Sequence, residues 1–279
     1  MRDFLKMLKI ATCQMTSGID LSKNLEEAES FIRKAAMEGC NLVCLPETFA
    51  LMPRGRQDVL VFAENYGEGP IQARISSLAK NLGLWIIAGS IALFSDKKDH
   101  VTNTCLVYDP YGAVACRYDK IHLFSYHTEE ERYDEGSLYT PGHEAKSFIL
   151  PLDNGTDIKI GLAICYDLRF PGLFRHLGSP DLIVIPSAFT ETTGRAHWET
   201  LVRARAIENL CYVCAPAQAG SNPDGRSFWG HSMAVDCWGK ILGEMGQDDN
   251  GVFITELDPR FIAQVRNNLP ALNNRVFYD

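Results

Sequence analysis

The sequence predicts an α/β protein that is more strand-rich than a single doubly wound sheet, with strands buried on both faces. Three observations carry this reading. Strand-like and helix-like segments alternate along the 279 residues. The strands are too numerous and the order too mixed for a Rossmann sheet. Many strand segments, Leu182–Pro186 among them, are apolar throughout instead of alternating, as expected of strands covered on both faces.

Leu8–Cys13 opens the chain as a strand, followed by a helical period over Leu21–Glu38 with Ser22 as its cap and Gly39 as its stop. Asn41–Leu45 is the next strand and Gly69–Leu82 the next helix. Trp85–Ile91, Val101–Tyr108 and Val114–Tyr118 add three strands, and Asp109-Pro110-Tyr111-Gly112 is a turn that makes a hairpin of the last two. After Ile158–Ile164 come a short helix near Leu173–His176, a strand Leu182–Pro186 and a long helix Trp198–Asn209. Strands Tyr212–Ala217, Ser232–Val235 and Val252–Glu256 follow. No Pro/Gly/Ser-rich linker, low-complexity tract or repeat divides the chain, so one domain over 1–279 is expected. That length buries roughly 75% of the unfolded surface.

The formal net charge of −8 repels phosphates and anionic lipid, and no basic stripe offsets it; neither nucleic acid nor membrane is an expected partner. The first ten residues alternate charged and apolar side chains and lack the core of a signal peptide. Nine cysteines, an odd number scattered through apolar segments, suit a reducing cytoplasm better than a disulfide framework. Cys211 and Cys214 form a CxxC, but in an apolar strand positions i and i+3 face opposite sides, and no second CxxC completes a zinc site.

Chemistry concentrates at three strand ends. The run Ile158 to Ile164 stops at Cys165, which delivers a thiol to a turn where the Tyr166 N–H can face the atom the sulfur attacks. Cys40 to Pro46 delivers Glu47, a candidate base, and Val114 to Asp119 delivers Lys120, a candidate oxyanion donor. A thiol needs a base or a cation nearby to become a thiolate. Glu47 can take its proton, pass it to a leaving amine and then activate water against the thioester. No metal or organic cofactor is required.

Three blocks, Leu45-Pro46-Glu47-Thr48-Phe49, Tyr118-Asp119-Lys120-Ile121-His122-Leu123 and Ala163-Ile164-Cys165-Tyr166-Asp167-Leu168-Arg169-Phe170-Pro171, resemble the signature blocks of the nitrilase superfamily of carbon–nitrogen hydrolases. The resemblance implies the four-layer αββα sandwich, a cysteine-dependent hydrolysis of linear amides and a second glutamate at the site. Glu135, six residues before Pro141-Gly142, matches that position best, with Glu129, Glu130 and Glu131 crowding the same loop. His122, at a strand end, reads as a packing or supporting residue. His127 tempts a Cys-His protease reading, and His197, in a helix N-terminal turn, reads as structural.

Tyr166-Asp167 after the cysteine looks like the amidase branches, where true nitrilases carry Trp-Glu. Pro186 to Phe189, Arg203 to Glu208 and Arg266 to Pro270 look more like the deaminated glutathione amidase branch than omega-amidase. A carboxylate-bearing small-molecule substrate needs cations or N–H donors, for which Arg169, Thr193 and Arg195 are candidates; Arg169 can equally pair with Asp167. The resemblance also implies a homodimer, and the segment 259–279, apolar residues mixed with arginines at little regular period, is expected to reach across to a partner. Competing readings are an omega-amidase, a non-catalytic scaffold and a redox protein using Cys211 and Cys214.

Overall fold

The computed structural model describes residues 7–129 and 132–276. Its elements run β1 (Leu8–Gln14), α1 (Leu21–Met37), β2 (Leu42–Cys44), α2 (Arg56–Phe62), α3 (Pro70–Leu82), β3 (Trp85–Ile87), β4 (Ile91–Phe94), β5 (Val101–Tyr108) and β6 (Val114–Asp119). A small ribbon β7 (Ser125–His127) and β8 (Arg132–Asp134) precedes β9 (Ser147–Pro151) and β10 (Asp157–Leu162). Then come α4 (Pro171–His176), β11 (Leu182–Val184), α5 (Glu191–Asn209), β12 (Tyr212–Ala215) and the hairpin β13 (Ala219–Ser221) with β14 (Ser227–Trp229). The chain closes on β15 (Met233–Val235), β16 (Ile241–Glu244), β17 (Gly251–Leu257) and α6 (Pro259–Asn268).

Two sheets form the middle. One runs β17-β1-β2-β3-β5-β4 with β6 also paired to β5; the other runs β16-β15-β12-β11-β10-β9. The strand period of two sorts the first sheet cleanly. Leu8, Ile10, Leu42 and Cys44 point into the core shared with Ile158, Ile160, Leu162 and Val184 of the second sheet. Ala11, Cys13, Val43 and Leu45 point the other way, against Ala28 and Ile32 of α1 and Ile75 and Leu78 of α3. Trp198, Val202 and Ala206 of α5 cover the outer face of the second sheet. Both faces of the central strands are thus buried, which is why β2, β11 and β12 read as continuous apolar runs. The layers meet in atoms as well as in area: Thr12 Oγ1 of β1 lies 3.1 Å from Cys214 Sγ of β12.

Several boundaries differ from the sequence reading for local reasons. Helix α1 is capped by Asp20, whose carboxylate accepts from the Lys23 N–H, and not by Ser22, whose hydroxyl instead donates to Glu26. The expected strand Trp85–Ile91 is two strands, because Gly89 turns the chain at φ +48. Any Cβ there would stand 1.9 Å from the Pro46 carbonyl, so only glycine lets β3 pass the segment that carries Glu47. Helix α5 begins seven residues earlier than expected, at Glu191, with Thr190 accepting from the Thr193 N–H. Gly194 hid this turn: it weakens helical propensity, yet it is required because a Cβ would meet the Trp229 side chain at 2.2 Å. His197 therefore sits in the second turn, not at the N-terminus.

The segment 259–276 is more regular than the sequence suggests and buries part of itself at home. It packs on its own domain: Asp258 caps α6 by accepting from the Arg260 N–H, Pro259 occupies the first helical position, and Ile262 and Val265 are buried in the core. Arg266 fixes the helix by donating to Asp181 Oδ1 at 3.0 Å, the Pro180 carbonyl at 2.6 Å and the Leu210 carbonyl at 3.1 Å. Residues 277–279 of the expected segment lie outside the described residues. Ile262→Ala is expected to lower stability by about 2–5 kcal/mol, read by denaturant unfolding, because it leaves a cavity under α6. An unchanged unfolding midpoint would mean that α6 is not part of the cooperative core.

Candidate active site

The ends of β2, β6, β10 and β11 converge on one cavity of about 320 Å³. Glu47, Lys120, Glu135, Cys165, Tyr166, Arg169 and Thr193 all line it. This position, outside the carboxyl ends of parallel strands, is where open α/β sheets present their sites.

Cys165 follows β10 at φ +48, a left-handed backbone conformation that an L side chain rarely adopts. Three contacts hold it there. The Cys165 N–H donates to the Pro186 carbonyl at 2.9 Å, the Asp167 N–H returns to the Ile164 carbonyl at 3.0 Å, and Asp167 Oδ2 accepts from the Ile164 N–H at 2.8 Å. A tight 3-10 helix, Cys165–Arg169, starts at the thiol. The Tyr166 N–H stands in its first turn, where helical geometry supplies no carbonyl partner. Burial pushes the Cys165 thiol well up, the Glu47 charge adds to this, and Lys120 opposes both.

Lys120 is almost fully enclosed at 1% exposure. Its ammonium donates to Glu47 Oε1 at 3.0 Å and to the two Glu135 oxygens at 3.1 and 3.0 Å. Burial alone would lower its pKa, but Glu135 and Glu47 outweigh burial and hold it well above the ordinary lysine value. Glu47 is buried, and its Oε1 also accepts from Asn103 Nδ2 at 2.9 Å. The Glu135 carboxylate is raised by burial and, in part, by Glu47; Lys120 and the Phe124 N–H, 2.7 Å from Oε2, oppose the rise. One cation thus sits between two carboxylates beside a thiol.

Of the two described loop glutamates, Glu129 and Glu135, it is Glu135 that touches Lys120. Glu129 is exposed, and Glu130 and Glu131 lie outside the described residues. Thr193 lines the cavity with its hydroxyl 3.0 Å from Thr190 Oγ1. Arg195 does not join: it is exposed, donates to Glu191 at 2.6 Å and lies over the Trp229 ring. The alternative Arg169–Asp167 ion pair is not formed. Asp167 is fully engaged by the Tyr118 hydroxyl at 2.7 Å, by His122 N–H at 3.0 Å and Nδ1 at 2.7 Å, and by Ile164, while Arg169 contacts His197 Nδ1 at 3.2 Å and lies over the Phe189 and Tyr166 rings. His127 is exposed on β7 and does not line the cavity.

Two residues of consequence escaped the sequence reading. Asn103 lies in the wholly buried strand β5, where Thr-Asn-Thr amid apolar residues was the available signal: a buried amide needs partners. Asp167 ties the nucleophile turn to both flanks of Lys120, through Tyr118 two residues before it and His122 two after. Asp167→Asn replaces an acceptor-only group by one with N–H donors facing donors, so a stability loss of about 1–3 kcal/mol with reduced kcat is expected. Thermal unfolding and turnover on one preparation check this; unchanged values for both would remove Asp167 from the framework.

Among the described residues, no group of three or more His, Cys, Asp or Glu side chains is arranged to hold a metal ion. Cys211 and Cys214 have different neighbours, the former beside Asp181 and Arg266 and the latter against Thr12, and burial pushes the Cys211 thiol up. All nine cysteines are free.

Comparison with known proteins accords with this geometry. The carbon-nitrogen hydrolase family model matches residues 9–267. Deaminated glutathione amidase of Yersinia enterocolitica is 37% identical over 278 residues, covering 98% of this chain and 94% of the relative. The Synechocystis enzyme of the same name is 36% identical over 277 residues, covering 96% and 97%. Among solved structures, Saccharomyces cerevisiae Nit3, a member of branch 10 of the nitrilase superfamily, superposes with a TM-score of 0.85 at 30% identity over 98% of this chain and 97% of that one. The chain belongs to the carbon–nitrogen hydrolase family, the nitrilase superfamily, and is a hydrolase of amide carbon–nitrogen bonds.

Proposed function

We propose that the protein hydrolyses a small carboxylate-bearing amide, deaminated glutathione, to 2-oxoglutarate and cysteinylglycine, with Cys165 as nucleophile. The observation that carries the reading is the Glu47–Lys120–Glu135 cluster set against the Cys165 thiol in one cavity. The Cys165 thiol proton passes to Glu47 as Sγ bonds the amide carbon. The Lys120 ammonium and the Tyr166 N–H stabilise the oxyanion. The carbonyl re-forms as the C–N bond breaks, and Glu47 gives the proton to the departing amine. Water, deprotonated by Glu47, then attacks the thioester and releases the acid and the thiol. Glu135 positions Lys120. The guanidinium of Arg169 and the hydroxyl of Thr193 meet the substrate carboxylate.

The curated relatives named deaminated glutathione amidase support this substrate. An amide panel with product identification tests it: 2-oxoglutaryl-cysteinylglycine is expected to be cleaved with a higher kcat/KM than 2-oxoglutaramate. The reverse order would make the protein an omega-amidase, and cleavage of neither would remove both substrates. We further infer a homodimer formed by stacking through α5, where Ile207 is 47% exposed and lies against Gly239, the residue after Trp238, which is 63% exposed. Free thiols throughout suit a cytoplasmic setting. Light scattering at micromolar concentration giving the mass of one chain would refute the dimer.

A further inference from the structure

The cavity is lined by more arginines than one substrate carboxylate requires. Arg56, Arg132, Arg169 and Arg226 all line it, on a chain whose net charge is −8. They are not equivalent. Arg56 is committed to the Ser137 and Asp99 carbonyls at 3.0 and 2.7 Å, and Arg132 is exposed on β8. Arg169 belongs to the 3-10 helix that starts at the nucleophile and is framed by Tyr166, Phe189 and His197.

Arg226 is built differently. It is half-buried in the loop between β13 and β14, and among the described residues its guanidinium donates to the Met52 thioether at 3.8 Å and the Arg54 carbonyl at 3.3 Å. Among the described residues no carboxylate lies within ion-pair distance of it; the nearby Asp58 is taken by Arg54. The loop that presents it is fixed. The side-chain oxygen of buried Asn222 accepts from the Asp224 and Arg226 N–H groups at 3.1 and 3.0 Å, its backbone N–H donates to the Arg226 carbonyl at 2.9 Å, and its side-chain amide donates to the Ser17 carbonyl at 3.3 Å. A guanidinium with weak partners on a rigid mount is pre-organised for an anion.

Its place relative to the chemistry says which anion. The amine half of an amide must lie on the side of the group that protonates it. Glu47 is followed by Thr48, whose hydroxyl reaches Met52 Sδ at 3.7 Å, and Met52 is the side chain against Arg226. Arg226 is therefore on the Glu47 flank, whereas Arg169 shares an element with Cys165. Resting on the amidase reading above, we propose that Arg226 is a specificity residue that binds an anionic group carried by the amine half of the substrate, so that the site prefers amides of amino acids or peptides over primary amides.

The test compares Arg226→Gln and Arg226→Lys with the parent enzyme on two substrates sharing one acyl half: 2-oxoglutaryl-cysteinylglycine, whose amine half ends in a carboxylate, and 2-oxoglutaramate, whose amine half is ammonia. Arg226→Gln is expected to lower kcat/KM about 10- to 100-fold on the first, mainly through KM, and less than about 2-fold on the second. Arg226→Lys should recover part of the loss. The primary amide reports folding in the same preparation. Calorimetry of the dipeptide amide on Cys165→Ala, with and without Arg226→Gln, reads the same contact without turnover, and a weakening of about 10-fold or more is expected. Equal losses on both substrates, or no loss on the dipeptide amide, would overturn the proposal. A parent enzyme that cleaves neither substrate would instead defeat the substrate reading, and then an unchanged binding constant in the calorimetric pair would overturn the Arg226 assignment separately.

Discussion

Cys165→Ala is expected to reduce amide turnover by at least about 10⁴-fold while leaving the melting temperature within about 4 °C of the parent. The two halves of this result have different origins. The thiol is the atom that bonds the acyl group, and nothing else lining the cavity beside Glu47 and Lys120 supplies a comparable nucleophile. The fold is insensitive because alanine keeps the Cβ, so the backbone strain at φ +48 is the same in both proteins and remains held by Pro186 and Asp167. Assays and thermal melts on the same material check both halves. Turnover near that of the parent would remove Cys165 from the mechanism, and a collapse of the melting transition would make its main role packing.

Lys120→Ala should be costly in both respects. It removes the oxyanion donor, worth about 10²–10³ in kcat, and it leaves Glu47 and Glu135 facing one another without their shared cation. Breaking a buried pair in this way destabilises by about 3–5 kcal/mol. The sign of the pH dependence follows from the remaining groups. Without the ammonium that opposes the rise, Glu135 is raised further by burial and by the Glu47 charge, so the folded state binds more protons than the unfolded one through mildly acidic pH. Stability of the variant should therefore rise as pH falls from 7 to 5, shrinking the gap to the parent. Denaturant unfolding at the two pH values reads this, and a gap independent of pH would mean that the two carboxylates are not electrostatically joined through Lys120.

The sequence disclosed these three side chains because each ends a strand: an apolar run that halts at Glu, Lys or Cys is legible without coordinates. The layering was legible for the same reason, since strands buried on both faces lose their polar alternation. What stayed hidden depended on contacts distant in sequence. Asn103 reaches Glu47 across 56 positions, and Asp167 joins Tyr118 and His122 across 49 and 45. No spacing rule contains those distances. Arg195 was misplaced because a turn of α5 began earlier than its glycine and threonines suggested, which rotated the arginine out to Glu191. Helix α6 was a different failure: the Asp258-Pro259 start and the apolar positions 262 and 265 were in plain view, but surrounding arginines and asparagines masked the stripe.

The central claim is a covalent acyl-enzyme on Cys165 within the Glu47–Lys120–Glu135 cluster. Its most direct test is mass spectrometry of enzyme acid-quenched during turnover of an activated 2-oxoglutaryl anilide, followed by peptide mapping. The claim predicts one acyl adduct per chain, confined to the peptide containing Cys165 and chased by further incubation. An adduct on another residue, or continued product formation with Cys165 unmodified throughout, would contradict it.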